Sequence, residues 1–150
     1  MEALVRKIGK NDSYTYNHEV RIYKPTEKER IQKKRLISAR EFYELQTSQQ
    51  AQGYKDLKKF RQCFIYEQQY FMVETFVSAD SQPSLLRIET SKGLDTLLIP
   101  SFCKILREVT QDDNYASSTI AKVGWKMPEE DKKLIQAALN QIAIDKQASV

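Results

Sequence analysis

The feature that most constrains this chain is a run of strict two-residue alternation at positions 13–24, SYTYNHEVRIYK. Tyr14, Tyr16, His18, Val20 and Ile22 share one side of it, and Thr15, Asn17, Glu19 and Arg21 the other. A period of two fits a strand covered on one face and disagrees with a helix, whose faces repeat every 3.6 residues. LVRKI at 4–8 reads as a shorter strand, and the turn residues Gly9 to Asp12 between the two predict a hairpin. A half-covered strand needs further partners. The sequence offers LKKFRQCFIY at 57–66, a tight turn at Glu67-Gln68, QYFMVETFV at 69–77, and LLRIET at 85–90 ended by Ser91-Lys92-Gly93. DTLLI at 95–99 reads as a short edge strand closed by Pro100. Pro25 and Thr26 break the pattern. KERIQKKRL at 28–36 fits strand or helix, because Lys, Glu, Gln and Arg also favour helix.

Helices are predicted at the margins. Ser38 with Glu41 three residues on is a capping box that starts a helix in ISAREFYEL, which fades into TSQQAQGY. SFCKILREV at 101–109 reads as a helix with Phe102, Ile105 and Val109 on one stripe, and Ser118 to Ala121 as a helical turn. From residue 127 onward Pro128, Glu129 and Glu130 suit a first turn. Leu134, Ile135, Ala138, Leu139 and Ile142 make an apolar stripe. No internal repeat interrupts this order. With 150 residues, 41% of them apolar and 29% charged, the chain can bury one core. The expected architecture is α+β: one antiparallel β-barrel with flanking helices and a C-terminal amphipathic helix, packed on the barrel or on a partner.

The net charge of +4 and the isoelectric point near 9.0 mildly favour anionic partners. They fall short of the dense basic clustering of a dedicated nucleic-acid binder. Cys63, Cys103 and His18 have no metal-ligand spacing, so a zinc site is not expected. Both thiols sit in apolar neighbourhoods and read as free, inert packing in a reducing compartment. No secretory leader and no apolar run near the ~20 residues of a membrane span are seen. The expected location is therefore intracellular, cytoplasmic or peripheral to an intracellular structure.

Four stretches, taken in order, resemble one known family: LVRKIGKNDSYTYNHEVR, ISAREFYEL, KKFRQCFIYEQQYFMVETF and LLRIETSKGLDTLLIPSFCKILREVTQDDNYASSTIA. They look like the basic hairpin, first helix, Lys-x-Arg hairpin and closing segment of the CYTH-like, or triphosphate-tunnel, superfamily. The nearest likeness is to the barrel that follows the NTPase domain in a group of AAA-type proteins, among them one known for a rhabdomere-channel translocation defect in flies. The resemblance covers roughly residues 4–122. It implies a barrel domain over 1–125, possibly incomplete at its first strand, and a terminal helix over 126–150.

Chemistry in that family needs inward basic side chains to hold phosphates and inward carboxylates to hold Mg²⁺. The resemblance turns Arg6, His18, Lys34, Lys59, Arg61 and Arg87 into the barrel as anion-binding residues. Only Glu74 and Glu89 remain as inward acids, because Gln32 and Lys34 stand at one acidic pair and Arg87 at another. No catalytic residue and no metal ligand is assigned, and Mg²⁺ enters only if hydrolysis survives. The first expectation is thus a noncatalytic binder of a nucleotide, polyphosphate or phosphoinositide headgroup. The second is a structural subunit whose sheet edge or terminal helix meets a protein partner. The third is a metal-dependent triphosphate hydrolase or cyclase. Read without the family, Lys59 and Arg61 are surface residues, Glu74 and Glu89 form structural ion pairs, His18 is a satisfied core residue, and KERIQKKR is a solvated strand. Tyr14, Tyr16, Phe64, Tyr70 and Phe71 then read as core packing.

Overall fold

A computed structural model describes residues 2–23, 30–90 and 93–148. The chain forms two compact units that divide between Tyr54 and Lys55. The class is α+β as expected, but the described strands do not close into a barrel. They form two antiparallel three-stranded sheets, ordered β1-β2-β3 and β4-β5-β6.

In the first unit β1 (Glu2–Lys10), β2 (Ser13–Tyr23) and β3 (Arg30–Ile37) precede α1 (Ala39–Ala51). The β1–β2 loop is two residues long, and Asn11 and Asp12 both have positive φ, 52° and 63°. That turn matches the right-handed twist of the strands and sets their register. Gly9 is required beside it, since a Cβ there would lie 1.9 Å from the Ser13 carbonyl oxygen. The ambiguous segment after Pro25 is a strand from Arg30, at the edge of this sheet. The breaks expected at Pro25-Thr26 and Ser91-Lys92 lie outside the described residues. Ser38 caps α1 by accepting a hydrogen bond from the Glu41 amide at 3.1 Å. Glu41 does not complete the box; its carboxylate takes the Arg35 guanidinium instead. The helix runs six residues further than ISAREFYEL, to Ala51, because Gln and Ala propagate a helix that is already nucleated. Its Phe42 and Tyr43 rings meet Tyr16 at centroid distances of 5.1 and 6.4 Å.

In the second unit β4 (Phe60–Tyr66), β5 (Gln69–Thr75) and β6 (Ser84–Ile88) make the sheet. The predicted tight turn is present, with Glu67 and Gln68 at φ 47° and 60°. One face of the sheet carries Phe64, Tyr66 and the fully buried Phe71, with Phe102 packed against Phe64 and Tyr66. Phe76, Ala79, Tyr115 and Ile120 form the buried core, ringed by Leu57, Leu85, Val109 and Trp125. After the sheet come single 3-10 turns at Leu94–Thr96 and Asp113–Tyr115, then α2 (Ser117–Ile120) and α3 (Glu129–Ala148).

Two predicted elements are corrected. Residues 95–99 are not a strand: a 3-10 turn takes their start, and Leu98 and Ile99 stay exposed with no strand beside them among the described residues. Residues 101–109 are not a helix. Phe102 goes to the aromatic face of the sheet, Arg107 to α3 and Val109 to the core, and these separate anchors stretch the segment past its propensity. Cys63 is exposed on an open sheet face rather than packed, while Cys103 is half-buried. Tyr14 and Tyr70, expected in the core, are also exposed.

Candidate functional site

The ladder register decides which side chains share the open face of the second sheet. Arg61 stands directly opposite Glu74, and Glu74 opposite Leu85. Two residues along, Met72 lies between Cys63 and Arg87; two further, Tyr70 faces Ile65. Lys59, just before β4, continues the same alternation. Three bases from two edge segments therefore converge on one acid of the central strand.

Glu74 is 2% exposed. Its Oε1 accepts from Arg61 Nε at 3.2 Å and Nη2 at 2.6 Å, and its Oε2 from Arg87 Nε at 2.5 Å. Lys59 Nζ lies 3.8 Å from Oε2, donates to Ser117 Oγ at 2.7 Å, and sits 4.6 Å from the centre of the Phe76 ring. Burial by itself would push the Glu74 carboxyl up. The Lys59 charge and the hydrogen bonds from Arg61 and Arg87 outweigh it and hold the group below its ordinary value. Three cations thus gather on one carboxylate. The Arg61 and Arg87 side chains are each 46% exposed, so part of that charge faces outward.

The first sheet repeats the plan on its own central strand. Glu19 is fully buried. Arg21 Nε donates to its Oε1 at 2.6 Å and Gln32 Nε2 to the same atom at 2.9 Å, while Arg6 Nη1 lies 3.1 Å from Oε2. Arg21 also lies 3.6 Å from Glu2. Two arginines meet two carboxylates in the ion pairs of this group. Lys34 is exposed, directly across the ladder from Glu19.

The predicted residues thus fall into separate groups. Lys59, Arg61, Arg87 and Glu74 stand together. Glu89, one residue past β6, is exposed at the margin of that face and acts electrostatically on Tyr70. Arg6 and Lys34 belong with Glu19. His18 does not join them: its ladder neighbours are Val5 and Arg35, on the face that carries Tyr16 and α1. Glu19, Arg21 and Gln32 join this group although the sequence does not single them out as site residues. The signal was the two-residue turn at Asn11-Asp12, which places Arg6 opposite Asn17 and so beside Glu19.

A further network was also missed. Arg107 donates to both oxygens of Asp131, from Nε at 2.5 Å and Nη2 at 2.7 Å, and to Asp112 at 2.8 Å. The Tyr115 hydroxyl donates to Asp131 as well. The hydrogen bond from Arg107 is the main reason Asp131 and Asp112 titrate below the usual carboxylate range. Burial, then the bond to Asp131, pushes the Tyr115 phenol up. Lys132 reaches Asp80 at 3.2 Å, and Asp80 accepts from the Met127 amide. These contacts pin the start of α3 to the core. They are structural.

A divalent cation wants six or more oxygen ligands. Within each unit a single buried carboxylate stands on the sheet and its oxygens are occupied by bases. Among the described residues no three His, Cys, Asp or Glu side chains converge. The residues of either unit by itself do not fit a metal. Two depressions stand out in the second unit. One, of about 380 Å³, is lined by Glu108 to Asp112, and the other, of about 170 Å³, is an apolar groove between α3 and Leu106. Neither is lined by the bases around Glu74. Among the described residues no helix is long and apolar enough to cross a membrane. No family model matches the chain, and no curated protein and no solved structure is significantly similar to it.

Proposed function

We propose that the chain is a noncatalytic phosphate- or polyanion-binding module of the CYTH-like kind. The observation that carries the reading is the gathering of three cations on Glu74. A guanidinium has five N–H donors. Arg61 spends two on Glu74 and Arg87 one, and both side chains stay half exposed. Glu74 thus works as a clamp that holds two arginines still while their remaining donors point away from it. Fixed guanidinium groups suit phosphate oxygens, and holding them in place beforehand lowers the cost of binding. Arg6 and Lys34 supply further positive charge on the first sheet.

A structural role has its own observation. The outer half of α3 leaves Leu139, Ile142 and Ile144 exposed beside the apolar groove, as a helix awaiting a protein partner would. Hydrolysis of a triphosphate is the weakest reading, because the carboxylates left within each unit are too few for a metal.

Thermal unfolding with tripolyphosphate and GTP, each with and without Mg²⁺, separates the three. A ligand at about 100 times its Kd stabilises the folded state by ~2.7 kcal/mol. The expected result is a rise in Tm that does not need Mg²⁺ and is lost in the Arg61→Ala, Glu74→Gln pair. A rise that requires Mg²⁺ would reopen hydrolysis. No rise with any anion would leave the partner-binding helix.

A further inference from the structure

The second unit leaves a large apolar surface uncovered. Between residues 98 and 106 five large apolar side chains are exposed, and between residues 134 and 144 four more. Leu106 joins the two stretches, because it lines the apolar groove together with Ile135, Ala138, Leu139 and Ile142 of α3. These side chains leave on the order of 800 Å² uncovered, the share that each partner brings to a stable interface. From Leu139 to Ala148 every residue of α3 is exposed. A helical stretch of that length is marginal in water unless packing covers its apolar side.

Charge says what covers it. No charged residue occurs from Leu134 to Ile144, in a chain of which 29% is charged. The amides of that stretch are turned onto the helix itself: Gln136 donates to Asn140 at 2.9 Å, and Gln141 to Asp145 at 2.8 Å. A foreign protein is selected through opposite charges, and this stretch presents none. A second copy needs the reverse, since a two-fold axis sets a patch against itself and any charge beside the axis would meet its like. The ends of α3 do carry charge, and of opposite kinds: Glu129, Glu130 and Asp131 stand in its first turn and Lys146 in its last. An antiparallel copy lays each acidic first turn beside the other's last turn and opposes the two helix dipoles, whereas a parallel copy lays like on like. Of the neighbouring charges, Lys132 is held by Asp80 and Glu129, and Lys133 comes level with Asp145 of the copy. We infer that the chain forms a two-fold dimer through this face, the two α3 helices antiparallel about their midpoint at Ala138 and Leu139 and flanked by Leu106. The inference is independent of anion binding, because the bases around Glu74 do not line the groove. It names the occupant for the exposed end of α3.

The test is sedimentation of the whole chain over a wide range of concentration, with Trp125 fluorescence checking that each variant folds. As concentration rises the wild type should pass from the 17.5 kDa chain to a particle of twice that mass and stop there. Leu139→Glu should weaken the association by about thirtyfold or more, as expected at the centre of an interface. Leu139→Lys should do the same, and an equal mixture of the two variants should dimerise again, because the axis brings position 139 of each copy close to its counterpart. Leu36→Glu, at an exposed position of the first unit, should leave the dimer unchanged. A chain that stays monomeric at every concentration would overturn the inference and leave the apolar face to a different partner. Growth past two copies would overturn it too, since a two-fold contact closes on itself. So would folded Leu139→Glu or Leu139→Lys variants that dimerise alone, a mixture that does not recover, or a loss shared by Leu36→Glu. None of these substitutions touches the bases around Glu74, so the anion-binding reading stands or falls separately.

Discussion

The two sheets of this chain share a plan and differ in how their charges pair. Each is three antiparallel strands with a buried glutamate on the middle one, Glu19 in the first and Glu74 in the second. Glu19 is held by bases on its own strand and on β1, and Glu74 by bases from the segments on either side of it. Around Glu19 the ion pairs of Arg6 and Arg21 are shared between Glu19 and Glu2, with Lys34 across the ladder. Around Glu74 the ion pairs of Lys59, Arg61 and Arg87 all meet on one acid, with Glu89 at the margin of the face. A buried carboxylate therefore says little about binding until its partners are counted. Where its bases are shared with a second acid, it is a fold contact; where they all meet on it, it becomes a holder for cations that still want an anion.

The largest expected effect comes from deleting the two acids in turn. Breaking a buried ion pair by removing one partner costs about 3–5 kcal/mol, less where the survivors reach solvent. Glu74→Ala leaves three crowded bases, and a loss near ~3 kcal/mol in denaturant unfolding is expected. Glu19→Ala leaves Arg21 still beside Glu2, and a loss near ~2 kcal/mol is expected. Added sulfate should restore much of the Glu74→Ala loss and little of the Glu19→Ala loss. Equal rescue of both would break the contrast.

Acid should also treat the units differently. In the second unit Glu74, Asp80, Asp112 and Asp131 all titrate below their ordinary values; in the first, Glu41 does so, through Arg35. A carboxylate depressed by folding contributes stability that is present above its unfolded pKa of ~4. That contribution is lost as pH falls through the lower folded value. The second unit is therefore expected to loosen first below about pH 4. Trp125, the sole tryptophan, lies in that unit and packs on the core, so its fluorescence follows it directly. Amide exchange in β1 and β2 gives the comparison. Loss of β1 and β2 protection before the Trp125 signal moves would contradict the account.

The smallest expected effect is local. Ser38→Ala removes the cap of α1 and should cost about 1 kcal/mol. Amide exchange should speed up in α1 while the sheet around Glu74 is unchanged.

Much of this architecture was legible in the residues. Alternation from Tyr14 to Ile22 marks β2, and the short links Asn11-Asp12 and Glu67-Gln68 mark both hairpins. Ser38 marks the start of α1, and the run after Pro128 marks α3. What was not legible depends on contacts distant in sequence. SFCKILREV has the spacing of a helix, but Phe102, Arg107 and Val109 are claimed by three different partners. In the site, the family resemblance groups Lys59, Arg61, Glu74 and Arg87, and the register of β4, β5 and β6 puts them on one face. Alternation puts His18 with Tyr16, whereas the resemblance groups it with Arg6, which lies on the other face. Alternation alone does not say which side of β2 meets α1, and the Tyr16 and Phe42 rings decide it. Glu19 was passed over because buried and exposed acids look alike until their register with Arg6 and Gln32 is known.

The most direct test of the central claim is amide exchange of the whole chain with and without tripolyphosphate. The account predicts added protection in β4, β5 and β6 around Arg61, Glu74 and Arg87, and little in β1, β2 and β3. Protection confined to the sheet that carries Glu19, or none on either sheet at saturating anion, would contradict it.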